Sequence, residues 1–172
     1  MANLALVRID SRLIHGQVVT MWIKRTEAKR IIIVDNEITA DPFMAQIFSM
    51  AAPPGVKLEL MTTDQAGEGW KKDQFGSLGP IVCLFKNVPV MYEAYNKGYD
   101  FPKLQVGGIG GGPGRVNVVG PITLDENDGK MLDELSKKGL EIVFQATPDT
   151  KEGDWKSVKA KFFPNRSEER RV

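Results

Sequence analysis

The residues with the clearest chemical potential lie in one short segment, RIDSRLIHGQ, which spans positions 8–17. It holds the single histidine of the chain, His15, together with Arg8, Asp10 and Arg12. A neutral imidazole is a nucleophile, and guanidinium groups bind phosphoryl oxygens through two parallel hydrogen bonds. Phosphoryl transfer depends mainly on positioning and on charge stabilisation, and these side chains supply both. The segment therefore predicts a site that accepts a phosphoryl group on His15.

The predicted local structure brings these side chains together. The apolar pattern predicts a strand over Leu4–Ile9 and a helix that begins at His15. His15 then lies at or just before a helix N-terminus, where free amide donors attract a phosphoryl group. Arg8 and Asp10 lie on the same face of the strand. Asp10 could therefore orient Arg12 or fix the tautomer of the imidazole.

Two residues immediately after His15 complete the predicted phosphoryl site. Gly16 has no Cβ, so the backbone there can approach a group carried on His15. Gln17 follows in the first turn of the predicted helix and is a further candidate for phosphoryl binding. The structural alternative for the whole segment is a surface histidine beside a solvated cluster of ion pairs.

Residues after two other predicted strands could line the same crevice, because ligands of open parallel sheets bind beyond the carboxyl ends of the strands. Lys86 follows an apolar strand that ends at Phe85, or it is simply a solvated lysine next to a helix cap. The stretch GGIGGGPG at 107–114, which includes Gly108, lacks the P-loop pattern, so nucleotide binding is not favoured. Its amides, helped by Arg115, could reach a phosphate or a partner. A plain long turn is the alternative.

Other catalytic arrangements fit the sequence less well. Ser11, His15 and Asp10 could form a triad, but they lie on one short loop, and no G-x-S-x-G nucleophile elbow is present. A phosphatase or phosphomutase would need a further acid or base beside the phosphohistidine, and Asp10 or Asp35 would have to serve. A non-catalytic regulatory or partner-binding module of the same fold is a third alternative.

Composition narrows the class of protein. The chain has 172 residues, 42% of them apolar and 26% charged, which predicts one globular domain. A formal net charge of +1 argues against a generic nucleic-acid binder. One cysteine and one histidine exclude an intrachain disulfide and the common four-ligand zinc sites, and we expect neither a metal nor a cofactor. With no long apolar run and no recognisable secretory signal, we expect a cytoplasmic protein.

Short apolar strands alternate with amphipathic helices along the chain, which predicts an α/β fold with a doubly wound, mostly parallel sheet of about seven strands and helices on both faces. The predicted strands are Leu4–Ile9, Arg30–Val34, Val56–Met61, Pro80–Phe85, Leu104–Val106, Val116–Leu124 and Leu140–Ala146. The predicted helix caps are His15, Asp41, Thr63 or Asp64, Asn87 and Asp125, and the acidic stretch at 35–37 is predicted to be a loop.

The tail after the last strand differs in character, since it is polar and charged. We place the domain at residues 1–146 and treat 147–172 as a C-terminal extension that packs on it through Phe162 and Phe163. Its last residues, Ser167–Val172, are predicted to be frayed. The sequence leaves the oligomeric state open, a homo-oligomer included.

The segment RIDSRLIHGQVVTMW closely resembles the active-site segment of the IIB component of the mannose-type (mannose/fructose/sorbose) sugar phosphotransferase system. The stretches RIIIVDNEITADPFM, MAAPPGVKLEL, LFKN and LQVGGIG continue the resemblance in register. It extends from about Ala5 to Ala146 and departs from the family at residues 110–115 and in the tail.

This resemblance implies a function and a set of partners. In that family a IIA component phosphorylates the histidine at the position of His15, which then passes the phosphoryl group to a sugar carried by the membrane components IIC and IID. Arg12, Arg8 and Asp10 match motif positions around it. The implied fold is a doubly wound sheet with one antiparallel strand, and the implied location is cytoplasmic, at the membrane sugar permease. A carrier must serve two partners in turn, so His15 should be exposed on a loop, and Leu13 and Ile14 either contact a partner or pack in the core.

Overall fold

A computed structural model describes residues 3–164, with the side chains of that range except those of Gln17 and Val18. The predicted frayed end, Ser167–Val172, and the predicted contribution of the Gln17 side chain lie outside the described residues. The elements follow in this order: β1 (Leu4–Ile9), α1 (Gly16–Thr26), β2 (Arg30–Val34), α2 (Asn36–Ala40), α3 (Pro42–Ala51), β3 (Lys57–Met61), α4 (Thr63–Asp73), β4 (Ile81–Phe85), α5 (Val88–Asn96), β5 (Lys103–Val106), β6 (Val116–Val119), β7 (Ile122–Leu124), α6 (Glu126–Lys137), β8 (Glu141–Phe144), β9 (Gly153–Asp154) and α7 (Trp155–Phe162).

Seven strands form one sheet in the order β3-β2-β4-β1-β5-β8-β9. The pairs from β3 to β8 are parallel, and β9 pairs antiparallel with β8. This confirms the predicted α/β fold with a doubly wound, mostly parallel sheet. β1 lies in the middle, between β4 and β5, and the chain winds outward from it in both directions. The carboxyl end of β1 is therefore the switch point at which such folds bind their ligands.

Helices cover both faces of the sheet. Helix α1 buries Val19 and Ile23 on one face, where α2 and α3 add half-buried side chains. Helices α4 to α7 pack on the opposite face through residues such as Ala66, Met91 and Leu132. The strands β2 and β4, with sequences RIIIV and IVCLF, are buried along their whole length. A strand enclosed by two helical layers needs apolar side chains on both sides, which explains these continuous apolar runs.

The predicted strand Val116–Leu124 is instead a hairpin detached from the main sheet. It divides into β6 and β7, which pair with each other antiparallel. Gly120 has a φ of +52°, which favours glycine, and Pro121 has no N–H to donate to a ladder. The antiparallel strand of the main sheet comes from the tail, as β9, and not from this region.

Residues 147–164 continue the same hydrophobic core. β9 pairs with β8, and Trp155, Val158 and Phe163 are buried in the cluster that also contains Phe144. Phe162 is partly buried against that cluster. The tail thus adds a strand and a helix to the domain described above.

Side-chain caps begin most of the helices. Asp41, Asn87 and Asp125 cap α3, α5 and α6 as predicted, whereas Thr62 caps α4 in place of Thr63 or Asp64. The acidic stretch predicted to be a loop begins a short helix, because the carboxylate of Asp35 accepts from the amide of Ile38 and caps α2. Within residues 3–164, no helix is long and apolar enough to cross a membrane.

Candidate functional site

The end of β1 is fixed by main-chain hydrogen bonds to its two neighbours. Asp10 donates its amide to the carbonyl of Phe85 at 2.9 Å, and Gly107 donates to that of Ile9 at 2.8 Å. Ser11 then donates to the carbonyl of Gly108 at 2.8 Å. The loop that carries the candidate side chains therefore starts from a rigid point at the centre of the sheet.

His15 lies at the N-cap of α1 in extended conformation, as predicted, and its side chain makes no capping bond. The ring nitrogen Nε2 is 2.9 Å from Oδ1 of Asp10. Among the described residues, Nδ1 has no hydrogen-bond partner. The side chain is 14% exposed and lines an open cleft of about 370 Å³. The imidazole is thus held through Nε2, and its side chain is half-buried at the cleft, less exposed than expected for a carrier.

Asp10 connects most of the polar groups of the site. Its carboxylate is almost fully buried and accepts from the ring of His15, from the backbone amide of Arg12 at 3.2 Å and from Nη2 of Arg8 at 3.3 Å. Of the two predicted roles, orienting Arg12 or setting the imidazole tautomer, the contact with the ring supports the second directly. The contact with Arg12 involves its main chain and leaves its guanidinium group free to point elsewhere.

Arg8 shares the predicted face with Asp10 and lines the same cleft, but its guanidinium group is enclosed by hydrogen bonds within the protein. Its side chain is 1% exposed, and its four terminal N–H groups all have protein acceptors. These are Asp10, the side chain of Gln105, and the carbonyls of Gln145 and Ala146 at 2.8 Å each. Burial lowers the pKa of Arg8, and the neighbouring carboxylate of Asp10 opposes this shift.

Arg12 is the available cation of the cleft. Its side chain is exposed and lines the cleft with His15. Among the described residues no carboxylate pairs with its guanidinium group. A planar fork of donors without an acidic partner, in the same cleft as the imidazole, is suited to hold phosphoryl oxygens.

Two residues that flank His15, Gly16 and Leu13, have a positive φ. Gly16 has a φ of +38°, and a Cβ there would have open space. The positive φ is by itself a reason for glycine at this position, and the open space leaves the predicted approach to a group on His15 possible. Leu13 also has a positive φ, 57°, and its side chain is buried in the core beneath α1, while Ile14 is half-buried against the same cluster. Leu13 therefore packs in the core instead of facing a partner.

A second cleft of about 490 Å³ adjoins the first and shares Ser11, Ile109 and Gly110 with it. Lys86 and Arg115 line this neighbouring cleft and not the His15 cleft. Both cations are already paired with carboxylates. The ammonium group of Lys86 is 3.1 Å from Asp35 and 3.5 Å from Glu37, and these ion pairs outweigh its partial burial to raise its pKa. The guanidinium group of Arg115 binds Asp125 at 3.1 Å and Asp128 at 2.7 Å.

The glycine-rich stretch forms the wall between the two clefts. Gly108 lines the His15 cleft, as predicted for a crevice wall. Gly107 has a role that sequence reasoning missed, since a Cβ there would lie 2.2 Å from Cζ of Arg8. The sequence feature that could have indicated this role is the position of Gly107, which directly follows β5 next to the strand that carries Arg8. Thr123 anchors the stretch by donating to the carbonyl of Gly110 at 2.7 Å.

Other chemistries find less support. Ser11 makes no hydrogen bond to the imidazole among the described residues, so the arrangement lacks the contact that a serine nucleophile needs. Asp35 lies with Lys86 in a third cleft, away from His15. Within residues 3–164, no group of three or more histidine, cysteine, aspartate or glutamate side chains could hold a metal ion.

Comparison with known proteins adds independent information. The family model for the PTS system sorbose subfamily IIB component matches residues 4–169. A sorbose-specific EIIB component from Klebsiella pneumoniae is 32% identical over 140 residues, 81% of this chain and 85% of that protein. A mannose-specific EIIAB component from Escherichia coli is 30% identical over 81% of this chain and 43% of its own length. The crystal structure of manxB from Thermoanaerobacter tengcongensis superposes with a TM-score of 0.86 at 34% identity, over 95% of this chain and 99% of that one.

Proposed function

Because this chain belongs to the family of PTS sorbose-subfamily IIB components, which are phosphotransferases, we propose that His15 is its phosphoryl carrier. The observation that supports this most strongly is the asymmetric imidazole. Nε2 is held by the buried carboxylate of Asp10, whereas Nδ1 has no partner among the described residues, and His15 lines the cleft. That cleft also contains Arg12.

The contact with Asp10 selects the reactive nitrogen. An ionised carboxylate only accepts hydrogen bonds, so the ring hydrogen lies on Nε2 and is donated to Asp10. Nδ1 then keeps its lone pair in the plane of the ring. A nitrogen with a lone pair at the mouth of a cleft is a nucleophile toward phosphorus. We therefore assign Nδ1 as the atom that is phosphorylated.

Two features stabilise the charge of the transferred group. Arg12 offers a fork of N–H donors that no carboxylate occupies in the described structure. His15 caps α1, so the group carried on its ring lies near the free amides and the partial positive charge at the start of that helix. The first turn of α1 contains no acidic residue to oppose this field. Charge stabilisation of this kind is the main protein contribution to phosphoryl transfer.

The reaction consists of two displacements at phosphorus. In the first, the Nδ1 lone pair of His15 forms an N–P bond while the bond from phosphorus to the donor nitrogen breaks, and that nitrogen keeps the electron pair. In the second, a sugar hydroxyl oxygen forms the new P–O bond and releases its proton to water. The N–P bond breaks, and the electron pair returns to Nδ1. Asp10 stabilises the positive charge that the ring carries between the two steps.

The proposed partners follow from the family. The phosphoryl donor is a IIA component, and the mannose-specific relative is an EIIAB component of which this chain covers 43%. The acceptor is a sugar presented by the membrane components IIC and IID. We place the chain in the cytoplasm, at the membrane through those components. The relatives act on sorbose and on mannose by their names, and this chain is assigned to the same class of hexose substrates.

Phosphorylation of the intact protein tests this proposal. The chain is incubated with phosphoenolpyruvate, the general phosphocarriers and a IIA component, and the modified peptide is located by mass spectrometry. We expect an acid-labile, alkali-stable phosphate on His15, and label at background in His15→Gln. Equal labelling of the variant and the parent would refute the assignment.

Transfer to sugar separates the alternatives. In membranes that contain the matching IIC and IID components, the labelled protein should yield sugar phosphate. Stable label that is never passed on would favour a regulatory module. Rapid release of inorganic phosphate from the labelled protein would favour a phosphatase.

A further inference from the structure

The buried arginine behind the site has no evident place in the transfer itself. Arg8 lies beneath the loop that carries His15, and its guanidinium group is nearly sealed from solvent. A guanidinium group has five N–H donors, two on each terminal nitrogen and one on Nε. All four terminal donors of Arg8 are used within the protein. The fifth donor, on Nε, has no hydrogen-bond partner in the described structure but is buried. Direct binding of a phosphoryl group would therefore require the surrounding protein to move or one of the four bonds to break.

The acceptors around Arg8 come from three neighbouring strands. Gln105 belongs to β5, the carbonyls of Gln145 and Ala146 follow β8, and Asp10 follows β1, which also carries Arg8. Trp22 of α1 lies against the guanidinium group, with its ring centroid 5.3 Å from Cζ. The group thus connects the carboxyl ends of β1, β5 and β8 to one another and to the helix that His15 begins.

Asp10 is the one ionised acceptor in this set. Its carboxylate is 2% exposed, so its charge requires compensation inside the protein. Nη2 of Arg8 reaches Oδ2, and His15 reaches Oδ1. The two contacts lie on opposite oxygens, so Arg8 determines how the carboxylate presents its other oxygen to the imidazole.

Gly107 makes room for this arrangement. A Cβ at Gly107 would lie 2.2 Å from Cζ, 2.3 Å from Nη2 and 2.6 Å from Nη1 of Arg8. The guanidinium group would have to move away from Asp10. At Gly112, which lines neither cleft, a Cβ would be at ordinary contact distance, 3.6 Å from Cδ of Arg115. The pair therefore provides a substitution that displaces Arg8 and a matched one that does not.

We propose that Arg8 is a positioning residue which, seated on Gly107, holds the carboxylate of Asp10 and thereby fixes the tautomer and orientation of the His15 imidazole. This inference rests on the proposed function of His15 and adds a residue that acts through Asp10 without touching the phosphoryl group. It also assigns Gly107, Gln105 and the chain at 145–146 to the support of the reactive ring. The end of β8 is thereby coupled to the chemistry at the end of β1.

Nitrogen NMR tests the proposal directly, because His15 is the single histidine of the chain and its ring gives the only imidazole signals. Long-range proton–nitrogen spectra of the ring-labelled full-length protein report which nitrogen carries the hydrogen. In the parent protein we expect the Nε2–H form. A parent protein with its hydrogen on Nδ1 would overturn the proposal at once.

Two variants then act on Arg8 by different routes. In Arg8→Lys, one ammonium group replaces a fork that reaches four acceptors. In Gly107→Ala, the arginine is present but displaced. In both we expect the share of the Nδ1–H form to rise about tenfold, since a hydrogen bond to a charged group is lost or weakened. The rate of phosphoryl acceptance should fall about tenfold. Gly112→Ala should leave both the tautomer and the rate at parental values.

The outcomes separate the role of Arg8 from the function of His15. Folded variants with a parental tautomer but slow phosphorylation would show that Arg8 contacts the phosphoryl group, which overturns the positioning role. If Arg8→Lys does not fold, Gly107→Ala carries the same test, since its native contacts other than those of Arg8 are retained. If the tautomer responds to both variants but the parent never accepts phosphate, the positioning role stands and the proposed function fails.

Discussion

The two adjoining clefts at the carboxyl edge of the sheet contain similar residue types but use them differently. In the neighbouring cleft, Arg115 and Lys86 are each paired with two carboxylates. In the His15 cleft, the side chain of Arg12 has no acidic partner among the described residues. A cation that is already paired with carboxylates of the protein has few free N–H donors and little uncompensated charge with which to bind a ligand. The difference in pairing, rather than the number of charges, is the reason for proposing the His15 cleft as the phosphoryl site.

Two buried aspartates show the same contrast. Asp128 lies at the start of α6, where it joins the capping box with Asp125 and binds Arg115. Asp10 instead directs one oxygen at the imidazole of His15. The first carboxylate stabilises a helix end, and the second controls a reactive side chain. Substitutions at matched positions in the two clefts should therefore have effects of different kinds.

The largest effect is expected at Asp10. Asp10→Asn keeps the shape but can present an amide nitrogen to Arg8 or to the ring, so the imidazole loses its fixed tautomer. We expect phosphoryl acceptance to fall by about 10²–10⁴-fold. Breaking a buried ion pair should also lower the free energy of unfolding by about 3 kcal/mol. Label transfer from the IIA component and urea unfolding measure the two effects.

Asp41→Asn is the control for this change. Asparagine caps a helix as well as aspartate does, and Asp41 lies far from both clefts at the start of α3. Its transfer rate and stability should match those of the parent. A transfer rate in Asp10→Asn equal to that of Asp41→Asn would remove the distinction between the two kinds of carboxylate.

The next effect is expected at Arg12. Arg12→Ala should reduce phosphoryl acceptance by about 10²-fold, since a donor to the transferred group is lost. Arg12→Lys should be intermediate because a point charge replaces the fork. The side chain is exposed, so the free energy of unfolding should change by less than about 0.5 kcal/mol. A thermal melt combined with single-turnover labelling would show whether rate and stability separate in this way.

Arg115→Met should give the opposite result. The guanidinium group binds Thr123, Asp125 and Asp128, and its loss leaves the two carboxylates with only their capping-box hydrogen bonds and no cationic partner among the described residues. We expect the free energy of unfolding to fall by about 1–3 kcal/mol, with phosphoryl acceptance nearly unchanged. If Arg115→Met lost transfer as severely as Arg12→Ala, the two clefts would have to be regarded as one site.

The smallest effect concerns pH. Burial raises the pKa of Asp128 above its ordinary value of 3.8, and Arg115 only partly offsets this. The folded state therefore holds this proton to higher pH than the unfolded state does. The stability contribution of Asp128 is present below pH 3.8 and is lost as the pH rises through the raised pKa. Relative to Asp128→Asn, the parent should be more stable in acid than at neutral pH. Urea titrations of both proteins across this range would show it, and a difference independent of pH would contradict it.

Much of the fold was predictable because its signals are local. Continuous apolar runs predicted the buried strands β2 and β4, and Asp41 and Asn87 predicted the starts of α3 and α5. The exceptions depend on tertiary contacts. The strand β9 has two residues and forms because β8 offers an unpaired edge. The local sequence of β9 contains no strand pattern that would predict it. The bend at Gly120 was visible, but the detachment of the hairpin from the sheet was not.

The site was predictable in its composition and less so in its roles. The alternation of side chains along β1 predicted that Arg8 and Asp10 share one face. The apolar pattern that follows the strand predicted that His15 lies at the start of a helix. Which arginine keeps its terminal N–H donors free of protein acceptors was not encoded locally. Arg8 is enclosed by carbonyls that follow β8, about 140 positions along the chain from it. It fits there because Gly107 has no side chain. Only the folded sheet brings those groups together.

The central claim is that Asp10 holds Nε2 and leaves Nδ1 of His15 to carry the phosphoryl group. Nitrogen and phosphorus NMR of the phosphorylated, ring-labelled protein tests it most directly, because the phosphorus–nitrogen coupling identifies the bonded ring atom. The account predicts coupling to Nδ1, with the hydrogen still on Nε2. Coupling to Nε2, or phosphate on a residue other than His15, would contradict it.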